Sequence, residues 1–179
     1  MKEDKKLYSY GEFHPEVDET VFVAPGAKIV GRVKIGAESS VWYNAVVRGD
    51  ADTVTIGRGT NIQDNCSLHE DPGFPLVIGD RISVGHNTIL HGCIIEDDAL
   101  IGMGSIILNG ARIGAGAVVG AGSLVLAGME VPPGHLAMGL PAKVIRALKD
   151  DEAVKHRSTA GKYRNRSFFV MGRGPSPDF

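Results

Sequence analysis

The sequence predicts a mainly β solenoid, in which short parallel strands wind into a three-sided coil and one α-helix follows at the C-terminal end. Three observations predict it. Aliphatic residues recur at every sixth position along most of the chain between Val23 and Ala137. Glycine is abundant, 24 residues, without the strict three-residue period of collagen, which implies many tight turns. Aromatic residues make up only 6% of the chain against 43% hydrophobic residues overall, so the core must be aliphatic.

The repeat runs Val23, Ile29, Ile35, Val41 and Val47, then Ile56, Ile62 and Leu68, then Ile78, Val84 and Leu90. It continues from Ile95 through Ile101, Ile107, Ile113, Val119, Val125 and Val131 to Ala137. An amphipathic helix cannot produce this period, because six residues correspond to about 600° of helical rotation and would scatter the aliphatics over every side. The period fits a short strand, a corner and another short strand. Glycine often follows the aliphatic, as in Ile35-Gly36, Ile56-Gly57 and Ile101-Gly102. A small residue commonly sits four positions after it, such as Ala27, Ser39, Ala45, Ser105, Ala111 and Ser123. Three hexads close one triangular coil, and coils stack at the strand spacing of about 4.8 Å.

Three breaks interrupt the count. Val47 to Ile56 is nine residues, Leu68 to Ile78 is ten, and Leu90 to Ile95 is five. Insertions in a solenoid loop out at corners, and one of these directly follows His69. The predicted organisation is a coil with an N-terminal lead-in over 1–146, a helix packing on the coil over 147–170, and a disordered tail over 171–179. Within that scheme the segment 139–146 leaves the coil. Residues 149–169 are polar, lack proline and read as one helix, with Gly161 as its weak point.

Charge and composition exclude several classes of function. A net charge of -2 gives no basic surface that would call for nucleic acid or an anionic membrane. No apolar run reaches the length of about eighteen residues that a membrane-spanning helix requires. The charged opening Met1-Lys2-Glu3-Asp4-Lys5-Lys6 is followed by no apolar stretch and is not a secretory signal. Two cysteines, Cys66 and Cys93, fit a reducing compartment, so a cytoplasmic location is expected.

The stacking register then acts on the histidines. If each long step counts as one strand with a bulge, Val47, Leu68 and Leu90 share one vertical column. Arg48, His69 and His91, each one residue later, form an outward ladder on one face. Two imidazoles one rung apart, about 4.8 Å, can share a metal ion. His86 follows Val84 one face earlier, above Asp64, and does not belong to this ladder. In a three-fold trimer, however, the neighbouring chain's His86 reaches the pair, and the same packing brings Arg48 and Asp64 together. A homotrimer with three metal sites between subunits is the expectation. His14, His135 and His156 read as surface histidines.

Several segments at these positions resemble the γ-class carbonic anhydrases and their bacterial relatives. They are Arg48-Gly49-Asp50, Asn61-Ile62-Gln63-Asp64, His69, Val84-Gly85-His86, His91-Gly92-Cys93 and Ile101-Gly102-Met103-Gly104. With the coil and the helix, the resemblance covers about residues 10 to 170. It implies a left-handed coil, where general crossover rules favour the right hand. It implies zinc, with iron or cobalt as alternatives, on His69, His91 and the neighbour's His86. Such a metal lowers the pKa of water toward about 7, so that hydroxide attacks CO₂ and gives bicarbonate. The resemblance assigns Gln63 to orienting that hydroxide, Asn61 to positioning CO₂, and Arg48, Asp64 and Asp50 to bracing the interface, with Arg48 also attracting bicarbonate. Tyr163 matches a tyrosine that bacterial relatives bring from the helix to the pocket.

The residues leave plainer readings open. Arg48 and Asp64 could form a structural ion pair. Gln63 and Asn61 could cap corners, and Tyr163 could simply pack on the coil. Cys93 reads as a small buried thiol rather than a further ligand, and Cys66 as core. The sequence also departs from the family's archaeal pattern, which carries proton-shuttling glutamates. Ala51 stands at one of those positions, and the loop after His69 is only Glu70-Asp71-Pro72-Gly73-Phe74-Pro75. Turnover is therefore expected to be low or absent unless Glu70 or Asp71 substitutes. Two other functions compete: an acyltransferase or metal-dependent thioesterase acting on an acyl-CoA, and a non-catalytic metal-binding or assembly protein.

Overall fold

The computed structural model describes residues 6–176. It is a left-handed parallel β-helix with three faces and about seven turns, followed by a hairpin and a helix. The first face stacks Leu7, Ile29, Val47, Leu68, Leu90, Ile107 and Val125 in register. The second stacks Val17, Ile35, Ile56, Ile78, Ile95, Ile113 and Val131. The third stacks Val23, Val41, Ile62, Val84, Ile101, Val119 and Ala137.

This six-residue frame works because each strand buries one aliphatic and each corner buries one small residue. From Ile29 to Ala137 the inward aliphatics are at most 2% exposed, whereas Val17 and Val23 in the first turn are partly exposed and Leu7 is exposed. Each fully buried Ile, Leu or Val contributes about 1.5–3 kcal/mol. Ala27, Ser39, Ala45, Ser105, Ala111 and Ser123 fill corners from inside, and one corner takes the larger, fully buried Ile82. The left-handed backbone at each corner falls on glycine or on a short list of other residues, among them Asn44, Asn65 and Asn87. Asparagine tolerates that region better than most side chains.

The breaks in the count fall where the strands irregularly pair. Between Val47 and Ile56 the chain runs as one strand, Val46–Ile56. Its register against Lys28–Ile35 jumps from Gly31↔Gly49 to Val33↔Val54, so residues 50–53 bulge opposite Arg32. Gly49 cannot carry a side chain here, since a Cβ would lie 2.6 Å from the Arg32 carbonyl oxygen. The ten-residue step places a turn after His69, with Asp71 and Phe74 bridged antiparallel.

Segment 139–146 does more than leave the coil. Strand His135–Gly139 turns through Leu140-Pro141 and pairs antiparallel with Ala142–Ala147, capping the last turn. The helix α1, Asp150–Val170, is continuous through Gly161. Its start is fixed by Glu152, which accepts the Lys149 N–H at 2.9 Å and pairs with both Arg146 guanidinium nitrogens at 2.7 and 2.8 Å. An aromatic cluster ties α1 to the third face: Tyr163 meets Trp42 edge-on at 5.5 Å, and Trp42 meets Phe22 at 5.2 Å. Met171 joins this cluster. Residues 171–176 form a turn in which Gly172 and Arg173 donate backbone N–H groups to Phe169 and Phe168. The part of the expected disordered tail over 177–179, like the start of the lead-in over 1–5, lies outside the described residues.

Candidate metal centre

The first face brings His69 and His91 together, because Leu68 and Leu90 are stacked inward partners and each histidine follows one of them. Their rings are 5.1 Å apart, and His69 Nδ1 faces His91 Nε2 at 3.1 Å. The outer nitrogen of each ring has an oxygen partner. Asn109 Nδ2 donates to Asp71 Oδ2 at 2.7 Å, which turns the amide so that its oxygen meets His91 Nδ1 at 2.6 Å. His91 Nδ1 therefore carries a proton. On His69, Nε2 lies 2.8 Å from Asp50 Oδ1, so its proton belongs there. In the neutral rings, both inner nitrogens then present lone pairs to each other. A divalent cation between them removes the repulsion, and two bonds of about 2.05 Å at a tetrahedral centre span about 3.3 Å between nitrogens.

Room for this arrangement comes from glycine. A Cβ on Gly92 would sit 2.6 Å from Asn109 Oδ1, so only a residue without one admits the amide beside His91. Asn109 had no assigned role in the sequence, and Asp71 was considered only as a substitute proton shuttle. The available signal is that Asn109 follows Ile107, the inward partner of Leu90, by two residues and so stands at the corner above Gly92.

Asp50 reaches the site from the bulge and accepts Arg48 Nη1 at 2.6 Å. Burial opposes its ionisation, but hydrogen bonds from His69 and Arg48 and the charge of Arg48 outweigh it and hold its pKa below the usual carboxylate value. Asp50, His69 and Glu70 have potential ligand atoms within 4.8 Å of one another. Arg48 already occupies the Asp50 carboxylate, and Glu70 Oε1 is taken by the backbone N–H groups of Ala51 and Asp52, at 2.8 Å each. A cation in that group would compete with Arg48 for Asp50 but would find Glu70 Oε2 without a partner, whereas the two inner imidazole nitrogens already face each other across a metal-sized gap.

His86 stands on the third face. Its Nδ1 meets Asp64 Oδ2 at 2.7 Å, and the Tyr163 hydroxyl lies 3.3 Å from its Nε2. Burial, with a further push from Asp64, raises the Tyr163 pKa against the opposing influence of Arg166, so the phenol keeps its proton and donates to His86. Arg48 and Asp64 occupy different faces of the subunit, Arg48 on Asp50 and Asp64 on His86 and the Tyr43 N–H.

Gln63 and Asn61 are both buried on the third face. Asn61 Nδ2 donates to the Ile82 carbonyl at 3.2 Å and to Ser83 Oγ at 2.9 Å, and its oxygen accepts Gln63 Nε2 at 3.0 Å. The polar atoms of Asn61 are thus engaged within the third face, and its side-chain contact toward the outside is with the Gln63 amide. That contact leaves Gln63 Oε1 as an acceptor. Gln63 also borders an apolar cavity of about 330 Å³ lined by Leu100, Met103, Val118 and His156. His14 is exposed and bonded to Ser9, while His135 and His156 are half-buried.

Of the two carboxylates named as substitutes in proton shuttling, Glu70 is poorly placed for it. Glu70 is 0% exposed and cannot hand protons to solvent. Asp71 is half-exposed and bonded to Asn109. Cys66 and Cys93 are core thiols, and burial pushes each up to about 12. Neither is a thiolate donor at neutral pH.

Fold and site together define a hexapeptide-repeat β-helix protein whose paired imidazoles suit a divalent cation. The chain matches two hexapeptide families, "Bacterial transferase hexapeptide (six repeats)" over residues 92–127 and "Hexapeptide repeat of succinyl-transferase" over 75–108. It is 55% identical to a "Probable carbonic anhydrase" of Methanocaldococcus jannaschii, over 82% of this chain and 92% of that protein. It is 45% identical to "Gamma carbonic anhydrase 2, mitochondrial" of Arabidopsis thaliana over 92% of this chain, and spans 62% of that longer protein. A solved structure of a "putative acetyltransferase" from Bacillus cereus superimposes with a TM-score of 0.93 at 45% identity, over 95% of this chain and 99% of that one. The chain belongs to the γ-class carbonic anhydrase family.

Proposed function

We propose that this protein is a lyase that interconverts CO₂ and bicarbonate at three metal sites between the subunits of a homotrimer. The observation that carries the reading is the 3.1 Å approach of His69 Nδ1 to His91 Nε2, with both ring protons directed outward onto Asp50 and Asn109. His69 and His91 of one subunit and the partner subunit's His86 would hold zinc, and iron or cobalt suit the same nitrogen donors. When bound, the metal supplies Lewis acidity that brings the pKa of water toward about 7.

The third ligand must come from a second copy, because His86 lies around a corner from the pair and is held there by Asp64 and Tyr163. An outward column from Val46 to Leu124 on the histidine face supports the trimer: Val46 and Ile89 are exposed, Ile106 and Leu124 are half-buried, and Ser67 is its one polar rung. Apolar side chains aligned in this way mark an interface.

The chain's own residues supply orientation. Gln63, fixed by Asn61, accepts an O–H from the nucleophilic water through Oε1 and turns its lone pair toward the carbon of CO₂. Asp64 holds the His86 ring through Nδ1, and Nε2 would exchange the Tyr163 hydroxyl for the metal, while Asp50 and Asn109 hold the rings of His69 and His91. Arg48, about half-exposed and charged, attracts bicarbonate. Proton export is slow, since Ala51 has no carboxylate and Glu70 is sealed, so small imidazole-type buffers raise the turnover. Two buried free thiols suit a reducing cytoplasm. Among the described residues no helix is long and apolar enough to cross a membrane.

Elemental analysis of the purified protein, paired with stopped-flow CO₂ hydration before and after chelation, tests this. Stoichiometric metal and chelator-sensitive hydration are expected. The His91→Ala variant loses both while remaining a folded trimer, and full metal occupancy in that variant would refute the site. The second reading, acyl transfer or thioester hydrolysis on an acyl-CoA, is favoured by the apolar cavity beside Gln63. Acetyl-CoA turnover without CO₂ hydration would select it, and metal without either activity would leave a binding or assembly protein.

A further inference from the structure

The nine-residue step from Val47 to Ile56 breaks the repeat at the coil that supports His69, and its purpose can be read from what holds it. Residues 50–53 bulge opposite a single residue, Arg32. Arg32 Nη2 donates to the Asp50 carbonyl at 2.9 Å. From the other side, Glu70 Oε1 accepts the N–H groups of Ala51 and Asp52, both at 2.8 Å. Three main-chain groups in succession are thus gripped by side chains. Asp52 then accepts the Gly73 N–H at 3.0 Å, which ties the bulge to the turn after His69.

Glu70 is 0% exposed, and burying a carboxylate is costly unless its bonds repay the lost hydration. Charge-assisted bonds to two amides are the compensation visible. Glu70 Oε2 and Arg32 Nε are the buried side-chain polar atoms without a partner among the described residues, and both belong to this grip. So much buried polarity around one bulge is unexpected if the bulge were only a loop. What the bulge delivers is Asp50, whose Oδ1 meets His69 Nε2 at 2.8 Å. Glu70 is also the residue after His69, so one side chain fixes both the ligand's backbone and the strand carrying the ligand's partner.

We propose that Glu70, with Arg32, is a positioning residue that clamps the 50–53 bulge so that Asp50 holds His69 in metal-binding orientation. The inference rests on the reading of His69 as a ligand. Glu70 acts through Asp50 and does not touch substrate. A partner one shell out from the metal commonly changes affinity by about 10–100-fold.

The test uses cobalt(II) bound to the whole protein, with affinity from competition against a chelating dye and ligand geometry from the visible absorption spectrum. Glu70→Met fills the same space without an acceptor. It should bind cobalt about 10–100-fold more weakly and with an altered spectrum. Glu70→Gln keeps an acceptor oxygen and should return both towards wild type, a rescue that a purely volume-filling role would not require. A folded Glu70→Met variant with wild-type affinity and spectrum overturns the proposal. If Glu70→Met does not fold, hydrogen exchange of the wild type decides. Zinc binding should slow exchange at the Ala51 and Asp52 amides, because coupling between clamp and metal is reciprocal; unchanged exchange overturns the proposal. If the wild type binds neither metal, the reading of the site fails and takes this inference with it, which is distinct from a failure confined to Glu70→Met.

Discussion

At the scale of single residues, the site depends on where protons sit. Two histidines at 3.1 Å could share a proton and nothing else. Here each outer nitrogen has an oxygen to donate to, and the Asn109 amide is itself oriented by Asp71. Asn109→Ala removes the acceptor that fixes His91. We expect metal affinity to fall by about 10–100-fold with little change in thermal stability, measured by dye competition beside thermal unfolding. Equal affinity would show that His91 needs no such support. The histidines were legible in the sequence because each follows an inward aliphatic by one or two residues, which sets its face and height. Asn109, Asp71 and the grip of Glu70 were not. They belong to corners and insertions, where side-chain direction follows the loop path rather than the six-residue frame. The bonds of Asn61 were not legible for a related reason: a register places a residue on a face but does not say which hydrogen bonds it makes.

At the scale of elements, α1 matters through the residue it carries. Its apolar anchorage is concentrated where Tyr163 meets Trp42 and Phe22, next to His86. Trp42 is 8% exposed, and Trp42→Ala should cost about 3–5 kcal/mol and loosen α1 from the third face. Denaturant unfolding gives the first quantity, and hydrogen exchange within α1 the second. A loss below about 1 kcal/mol would mean that the helix is held elsewhere. The helix was legible, the 147–170 segment ending where α1 does and starting three residues early, since a polar, proline-free run after a glycine-rich coil admits little else. The hairpin formed by His135–Gly139 and Ala142–Ala147 was not, because its antiparallel pairing carries a bulge and no longer obeys the repeat.

At the scale of the whole molecule, the coil is a ruler. Seven turns fix the height of every outward residue, so the sequence period alone put His69 beneath His91 and Asp64 beneath His86. The same rigidity keeps His86 on its own face, so the proposed site would be a property of two chains. Neither half is sufficient in this account: one subunit gives a pair of nitrogens, and its neighbour gives His86, Gln63 and Tyr163. Subunit mixing tests this most directly. His86→Ala and His91→Ala chains, each unable to bind metal alone, are co-refolded in equal amounts and assayed for bound metal. Sites shared between neighbours in a cyclic trimer should recover about a quarter of wild-type occupancy, because a site is intact whenever a His86→Ala chain meets a His91→Ala chain in the correct order. No recovery, in trimers shown by native mass measurement to contain both chains, would contradict the account.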